Sequence, residues 1–316
     1  MNRKIGIGVL WNLASFMLSR GATTLFTLLL ARLLAPEYFG LIAMLMIVME
    51  LAQHFVQSGL GQALIRSKEV SEQDLSTIFY SNIGIALLVY AGIYSIAPWL
   101  SAFYSQPILQ DMLIVLGLVV LVSALKIVPT AILSRGMQFK SQMVATTTGV
   151  VISGITAVFL AWRGAGVWSL VAQSIVSTTV TAFILWYMSG WKPKLIFSIN
   201  SFKRLFGFGI NLLAIGSIRI LVENSYVMVI GKVFSAEITG LYFLATKISN
   251  MISTQLSRAI QKATFPAMAT LQDDDVRLRY KYRQIIQLMM FVVAPVMAMI
   301  AALAGPLVSV LLGDKW

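Results

Sequence analysis

The chain has 316 residues, 58% of them hydrophobic and only 11% charged, with a net charge of +12 and no cysteine. Soluble domains carry about 25% charged residues, so so little charge excludes a water-solvated globule and points to the bilayer as solvent. The missing thiols exclude a disulfide framework or thiolate metal site, and the single histidine cannot build a zinc site alone.

The N-terminus reads Met-Asn-Arg-Lys and turns apolar without a small-residue cleavage site, so it is expected to be an uncleaved first helix. Runs of roughly 20 apolar residues, enough to cross the hydrocarbon, follow one another. They predict about nine spans, near 9–34, 41–65, 77–99, 112–133, 141–162, 165–188, 205–231, 238–266 and 284–312, with Pro129, Pro266 and Pro295 as kinks. The first span carries Arg20 about 16 Å inside its start, beside a polar stripe of Asn12, Ser15, Ser19, Thr23 and Thr27. The second carries Glu50 and His54 one turn apart, continued by Gln57 and Gly61. The fourth carries Lys126 one turn before Pro129. Beyond the sixth, a basic segment at 191–204 reads as a linker. The seventh span holds Arg219 with Glu223 one turn on, and the eighth holds Asn250 and Thr254.

Basic residues set the orientation. With the N-terminus in the cytoplasm, that side holds Arg3, Lys4, Arg66, Lys68, Arg135, Lys140, Lys192, Lys194, Lys203, Arg204, Lys262, Arg277, Arg279, Lys281 and Arg283. The other side holds Arg32, Arg163, Lys232 and Lys315. This bias makes the positive charge a topology signal rather than a nucleic-acid surface.

A shift of 200 residues lays "ARLLAPEYFGL" (31–41) over "GKVFSAEITGL" (231–241) without a gap. The same shift lays Glu50, Gln53, His54 and Gln57 over Asn250, Ser253, Thr254 and Ser257. Such a repeat predicts two parallel six-helix lobes about an axis along the membrane normal, with a pathway between them. The expected organisation is a first lobe over 1–190, a basic cytoplasmic linker over 191–204, and over 205–316 the first three helices of a second lobe, so that the chain stops after about nine spans.

A charge at the bilayer centre costs at least about 2.5–3.5 kcal/mol, so each such side chain must face protein or water. Arg20, Arg219 and Lys126 are candidate cations of a central cavity, and Asn12, Ser19, Thr23, Gln57, Asn250 and Thr254 its candidate polar lining. Glu50, His54 and Glu223 are the candidates for binding a coupling proton or sodium ion. Structural roles compete with these. Arg219 and Glu223 can neutralise each other within one helix, Glu50 can bridge Arg20 across helices, and Lys126 can snorkel. Enzyme chemistry finds little footing. There is no Gly-rich phosphate loop and no recurrent carboxylate pair, and "QDDD" at 272–275 reads as a solvated acid run beside basic residues.

"LLARLLAPEYFGLIAM" followed by "GLGQALIRSKEVSEQDLSTIFYSN" resembles the polysaccharide transport family of Wzx-type flippases. "ILSRGMQFK", "GAGVWSLVAQ", "WKPKLIFS", "LFGFGINLL", "VIGKVFSAEITGLYFLATK" and "FPAMATLQDDDVRLRY" extend the likeness in the same order, and it is nearest the branch handling exopolysaccharides such as colanic acid. The resemblance implies an all-α, two-lobed bundle of the multidrug/oligosaccharidyl-lipid/polysaccharide exporter superfamily in the bacterial inner membrane. It implies no enzyme and no cofactor. The substrate would be an undecaprenyl-diphosphate-linked oligosaccharide moved from the cytoplasmic to the periplasmic leaflet, with membrane lipids and polysaccharide polymerase machinery as partners. A drug or small-cation exporter of the same fold, or a membrane glycan polymerase or transferase, are the alternatives.

Overall fold

The computed structural model describes residues 2–57, 59–67, 69–250 and 275–316. Every regular element among the described residues is helical. That is the expected answer of an apolar chain in lipid, where backbone polar groups must be satisfied within the segment. In chain order the helices are α1 (Asn2–Leu33), α2 (Pro36–Gln57), α3 (Leu60–Arg66), α4 (Glu72–Tyr104), α5 (Ile108–Arg135), α6 (Phe139–Trp162), α7 (Trp168–Ser189), α8 (Ile199–Val233), α9 (236–250), α10 (Asp275–Ala302) and α11 (Ala304–Leu311). Among the described residues, seven stretches are long and apolar enough to cross a membrane: Pro36–Arg66, α4, α5, α6, α7, Leu213–Val233 within α8, and Arg277–Ala302 within α10. The chain is a multi-pass membrane protein.

Several expected spans have different bounds, α1 and α8 among them, which start at Asn2 and Ile199, and in three the reason is local. The run expected over 41–65 is two helices, because Gly59 takes the left-handed conformation (φ 69°) and ends α2 before α3 begins. The run expected over 284–312 breaks at Leu303 into α10 and α11. The run expected from 77 starts at Glu72, where Ser71 and Asp74 form a reciprocal cap with two 3.1 Å bonds. Much of the helix expected over 238–266, and Pro266 with it, lies outside the described residues.

The shift of 200 residues is visible in the backbone. α1 ends at Leu33 and α2 starts at Pro36, while α8 ends at Val233 and α9 starts at 236. The amide of Leu34 donates to the Leu30 carbonyl at 2.8 Å, and that of Phe234 to the Ile230 carbonyl at 2.8 Å. Pro36 and Ala236 each open the following helix, the proline at a position where a missing N–H costs nothing.

The described chain divides into two compact units, Met1–Thr239 and Gly240–Trp316. In the first, α1 packs on α6, α6 on α7, α7 on α5 and α5 on α4, while α2 lies against α4, α5 and α8. Small residues set these approaches, as is usual where lipid removes the hydrophobic drive between helices. A Cβ on Gly149 of α6 would sit 2.9 Å from the Ser177 carbonyl of α7, and one on Gly154 would enter the Phe26 ring of α1. Leu45, Met44, Leu109, Met112 and Leu113 fill one buried core, and Leu60, Leu64, Ile78, Phe79 and Val128 a second. In the second unit, α10 carries Pro295 within it and continues past Leu303 into α11.

Pro129 lies inside α5 and has no N–H to give to the Leu125 carbonyl one turn back. The indole Nε1 of Trp186, on α7, donates to that carbonyl at 2.8 Å. At the end of α5, the Arg135 guanidinium donates to the Leu64 carbonyl at 2.7 Å and to that of Ser67, closing the C-terminus of α3. Trp186→Phe leaves the Leu125 carbonyl unmatched. It should lower stability in detergent by about 1–2 kcal/mol. In a Pro129→Ala background, where the backbone regains its donor, the same change should cost clearly less in thermal unfolding. Equal costs in both backgrounds would refute this pairing.

Candidate functional site

α2 is apolar on the faces it turns to α4 and α5, where Leu41, Met44, Leu45, Met49 and Ala52 are buried. Its polar residues, Glu50 and His54, are only partly buried and meet α8. Asn224 of α8 donates from Nδ2 to Glu50 Oε2 at 2.9 Å and to its own helix at the Ile220 carbonyl at 3.0 Å. One turn along α2, His54 Nε2 lies 3.2 Å from the Leu213 carbonyl. A carbonyl can only accept, so Nε2 carries the hydrogen of this contact. Gly216 makes room for this ring, since a Cβ there would lie 2.2 Å from Nε2. Glu50, His54, Leu213, Gly216 and Asn224 thus form a polar seam along two otherwise apolar spans.

Asn224 was not among the expected site residues. Its signal was the polar run Glu223-Asn224-Ser225 within an apolar span, but sequence alone did not say which member faced α2. Glu223 points elsewhere: its Oε1 lies 3.8 Å from Arg219 Nη1 in an i,i+4 pair, with the side chains 58% and 69% exposed. The self-neutralising pair weighed from the sequence is therefore present, on a face of α8 that the described residues leave open.

The polar stripe of α1 goes to α6. Ser19 Oγ lies 3.0 Å from Thr147 Oγ1, while the hydroxyls of Thr23 and Thr27 donate to the carbonyls of Ser19 and Thr23 at 2.7 and 2.8 Å. Arg20 is exposed, and its carbonyl accepts from the Thr24 hydroxyl at 2.9 Å. The partner that Glu50 finds is Asn224 on α8, whereas α1 packs on α6. Lys126 is half-buried in α5, and its carbonyl accepts from Thr130 at 2.7 Å. Gln57 is exposed at the end of α2, and Asn250 is exposed on α9 in the second unit. Thr254 and the side chain of Asn12 lie outside the described residues.

The family model described as polysaccharide biosynthesis protein matches residues 29–316. The chain belongs to that family. It is 26% identical over 316 residues to the succinoglycan biosynthesis transport protein ExoT of Rhizobium meliloti (strain 1021), covering 100% of this chain and 63% of the relative. To the lipopolysaccharide biosynthesis protein WzxC of Escherichia coli (strain K12) it is 23% identical over 320 residues, covering 98% and 63%. The chain thus spans under two thirds of the length of these relatives. In fold it is similar to the lipid II flippase MurJ in an inward closed conformation, with a TM-score of 0.66 and 16% identity over 96% of this chain and 67% of that one. The resemblance read from the sequence motifs is borne out, and so is the all-helical exporter fold that it implied.

The Glu50–Asn224 contact makes a stability prediction. Asn224→Leu strands a carboxylate against an apolar face and should cost about 1.5–3 kcal/mol, the range for a hydrogen bond to a charged group. Glu50→Gln in the same background should recover part of that loss in detergent melts, because an amide is cheaper to leave unpaired than a carboxylate. No recovery would mean that Glu50 does not depend on Asn224.

Proposed function

We propose that the protein is a flippase, not an enzyme, that carries an undecaprenyl-diphosphate-linked oligosaccharide from the cytoplasmic to the periplasmic leaflet of the bacterial inner membrane. The observation that carries this reading is the exposed Arg219–Glu223 pair inside the apolar stretch Leu213–Val233. Charges at that depth require water or a polar ligand beside them. Membership of a polysaccharide biosynthesis family supports a glycan-bearing substrate.

In this reading 1–190 and 205–316 belong to two lobes joined by the basic linker 191–204, with the N-terminus in the cytoplasm. The α2–α8 seam is then a contact between lobes, and it parts as access alternates. Arg20 and Arg219, with Lys126, meet the diphosphate and any acidic sugars, for which the planar guanidinium offers paired donors. Asn12, Ser19, Thr23, Gln57, Asn250 and Thr254 offer hydroxyls and amides to the glycan, and the lipid tail stays in the bilayer. Glu50, His54 or Glu223 takes up the coupling proton or sodium ion. No cofactor is needed, and a polymerase would take the product on the far side.

The test follows the glycan in cells whose export depends on this protein. Loss of the protein should leave single lipid-linked repeat units in the cytoplasmic leaflet, whereas loss of a polymerase would leave them outside. Arg219→Lys or Arg20→Lys should reduce export by tenfold or so, since charge without the fork loses on the order of 1–2 kcal/mol of headgroup contact. Arg→Ala should reduce it further, with normal amounts of protein in the membrane. Normal export by folded Ala variants would remove both arginines from the substrate path.

A further inference from the structure

The segment after α7 is held along its backbone while several of its large side chains point away from the protein. Its start is pinned by Trp191, buried against Phe79 and Trp186 with ring centroids 5.6 and 6.0 Å apart. The amide of Lys194 then donates to Ser76 Oγ at 3.1 Å, and that of Ser198 to Thr77 Oγ1 at 3.0 Å. Both hydroxyls are themselves buried in the first turns of α4. This fixed strap nevertheless exposes Leu195 at 94%, Ile199 at 61% and Phe197 at 55%. Lys192, Lys194 and Lys203 stand exposed among them. The opposing carboxylate is Glu72, 4.0 Å from Lys194 Nζ with both side chains more than half exposed, which leaves the patch positive.

Large apolar side chains held rigidly outward are costly in water, and a strap is an unusual place for them. The strap begins two residues after a membrane span ends at Ser189, so it lies at the depth of the lipid headgroups. Apolar side chains that reach the acyl boundary, with lysines at phosphate level, are the composition of an interfacial anchor. We infer that residues 192–203 bind the surface of the bilayer through anionic phospholipid headgroups, with Leu195, Phe197 and Ile199 inserted below them. Charge complementarity selects the lipid: lysines beside a membrane surface draw in acidic headgroups over zwitterionic ones. Through Ser76 and Thr77, this contact fixes the level of α4 relative to the membrane. This contact is independent of the transported substrate.

The chain has no cysteine, so Leu195→Cys provides a unique attachment point for a spin label. The chain is reconstituted in vesicles of phosphatidylcholine, alone or mixed with phosphatidylglycerol, and the label's collisions with oxygen and with a water-soluble nickel chelate are compared. The inference expects the oxygen-to-nickel ratio to exceed that of a solvated loop site several-fold, and to rise again with phosphatidylglycerol. Replacing Lys192, Lys194 and Lys203 together by Gln should abolish the phosphatidylglycerol increment. High salt should do the same, because it screens exposed charges. A label open to nickel in both lipids would overturn the inference. So would a label shielded from both reagents, which would mean that protein covers the strap. A phosphatidylglycerol increment that survives loss of the three lysines would overturn the choice of anionic lipid.

Discussion

Hydrocarbon offers no partner to a charge or to an unpaired backbone group, and this one constraint organises the structure. Where Pro129 frees the Leu125 carbonyl, Trp186 reaches across from α7 to take it. Where α2 brings a carboxylate and an imidazole into a span, α8 answers with Asn224, the Leu213 carbonyl and a glycine that admits the ring. Each polar group joins two elements that apolar packing alone would leave free to slide, so satisfying it also fixes register.

The multi-pass helical character was legible because apolar runs near 20 residues have few other uses. Among the described residues, seven of the expected spans overlap stretches long and apolar enough to cross a membrane; the expected first span, which falls on α1, is not one of them. The repeat was legible for a local reason: the end of one helix and the start of the next leave a short signature, Pro36-Glu37 and Ala236-Glu237, that survives when the spans diverge. Facing was harder to read. A helix whose apolar residues are spread round it, such as α5, carries no periodic signal of which side meets lipid and which meets protein. Only polar residues mark a face, and they mark it ambiguously. Glu223 and Asn224 are neighbours in sequence, yet one pairs with Arg219 along α8 and the other with Glu50 on α2. The stripe Ser19-Thr23-Thr27 has helical spacing whether it lines a cavity or seats α1 on α6, and Ser19 here meets Thr147. The break at Gly59 was hidden because glycine is common within membrane helices and only its positive φ ends this one.

The two kinds of polar group on α8 divide the work proposed for the protein. Asn224 and the Leu213 carbonyl tie α8 to α2, while Arg219 and Glu223 remain open to whatever fills the space on their side. In the proposed function, a single helix would connect the substrate to the contact that has to part for access to alternate. Such coupling needs no long chain of intermediaries, because both sets of groups ride on one rigid element.

The most direct measurement concerns that contact. A Cβ on Gly231 of α8 would lie 3.0 Å from Met44 Cγ of α2 and 3.0 Å from Tyr104 Cε1 of α4, so α2 and α8 approach closely enough here for cysteines at 44 and 231 to test a cross-link. In a chain free of other cysteines, the Met44→Cys/Gly231→Cys protein would be oxidised in inner-membrane vesicles and export of lipid-linked glycan followed before and after reduction. If α2 and α8 must part during transport, the oxidised protein is inactive and a reductant restores export. Export by the cross-linked protein at the rate of the reduced one would contradict the account.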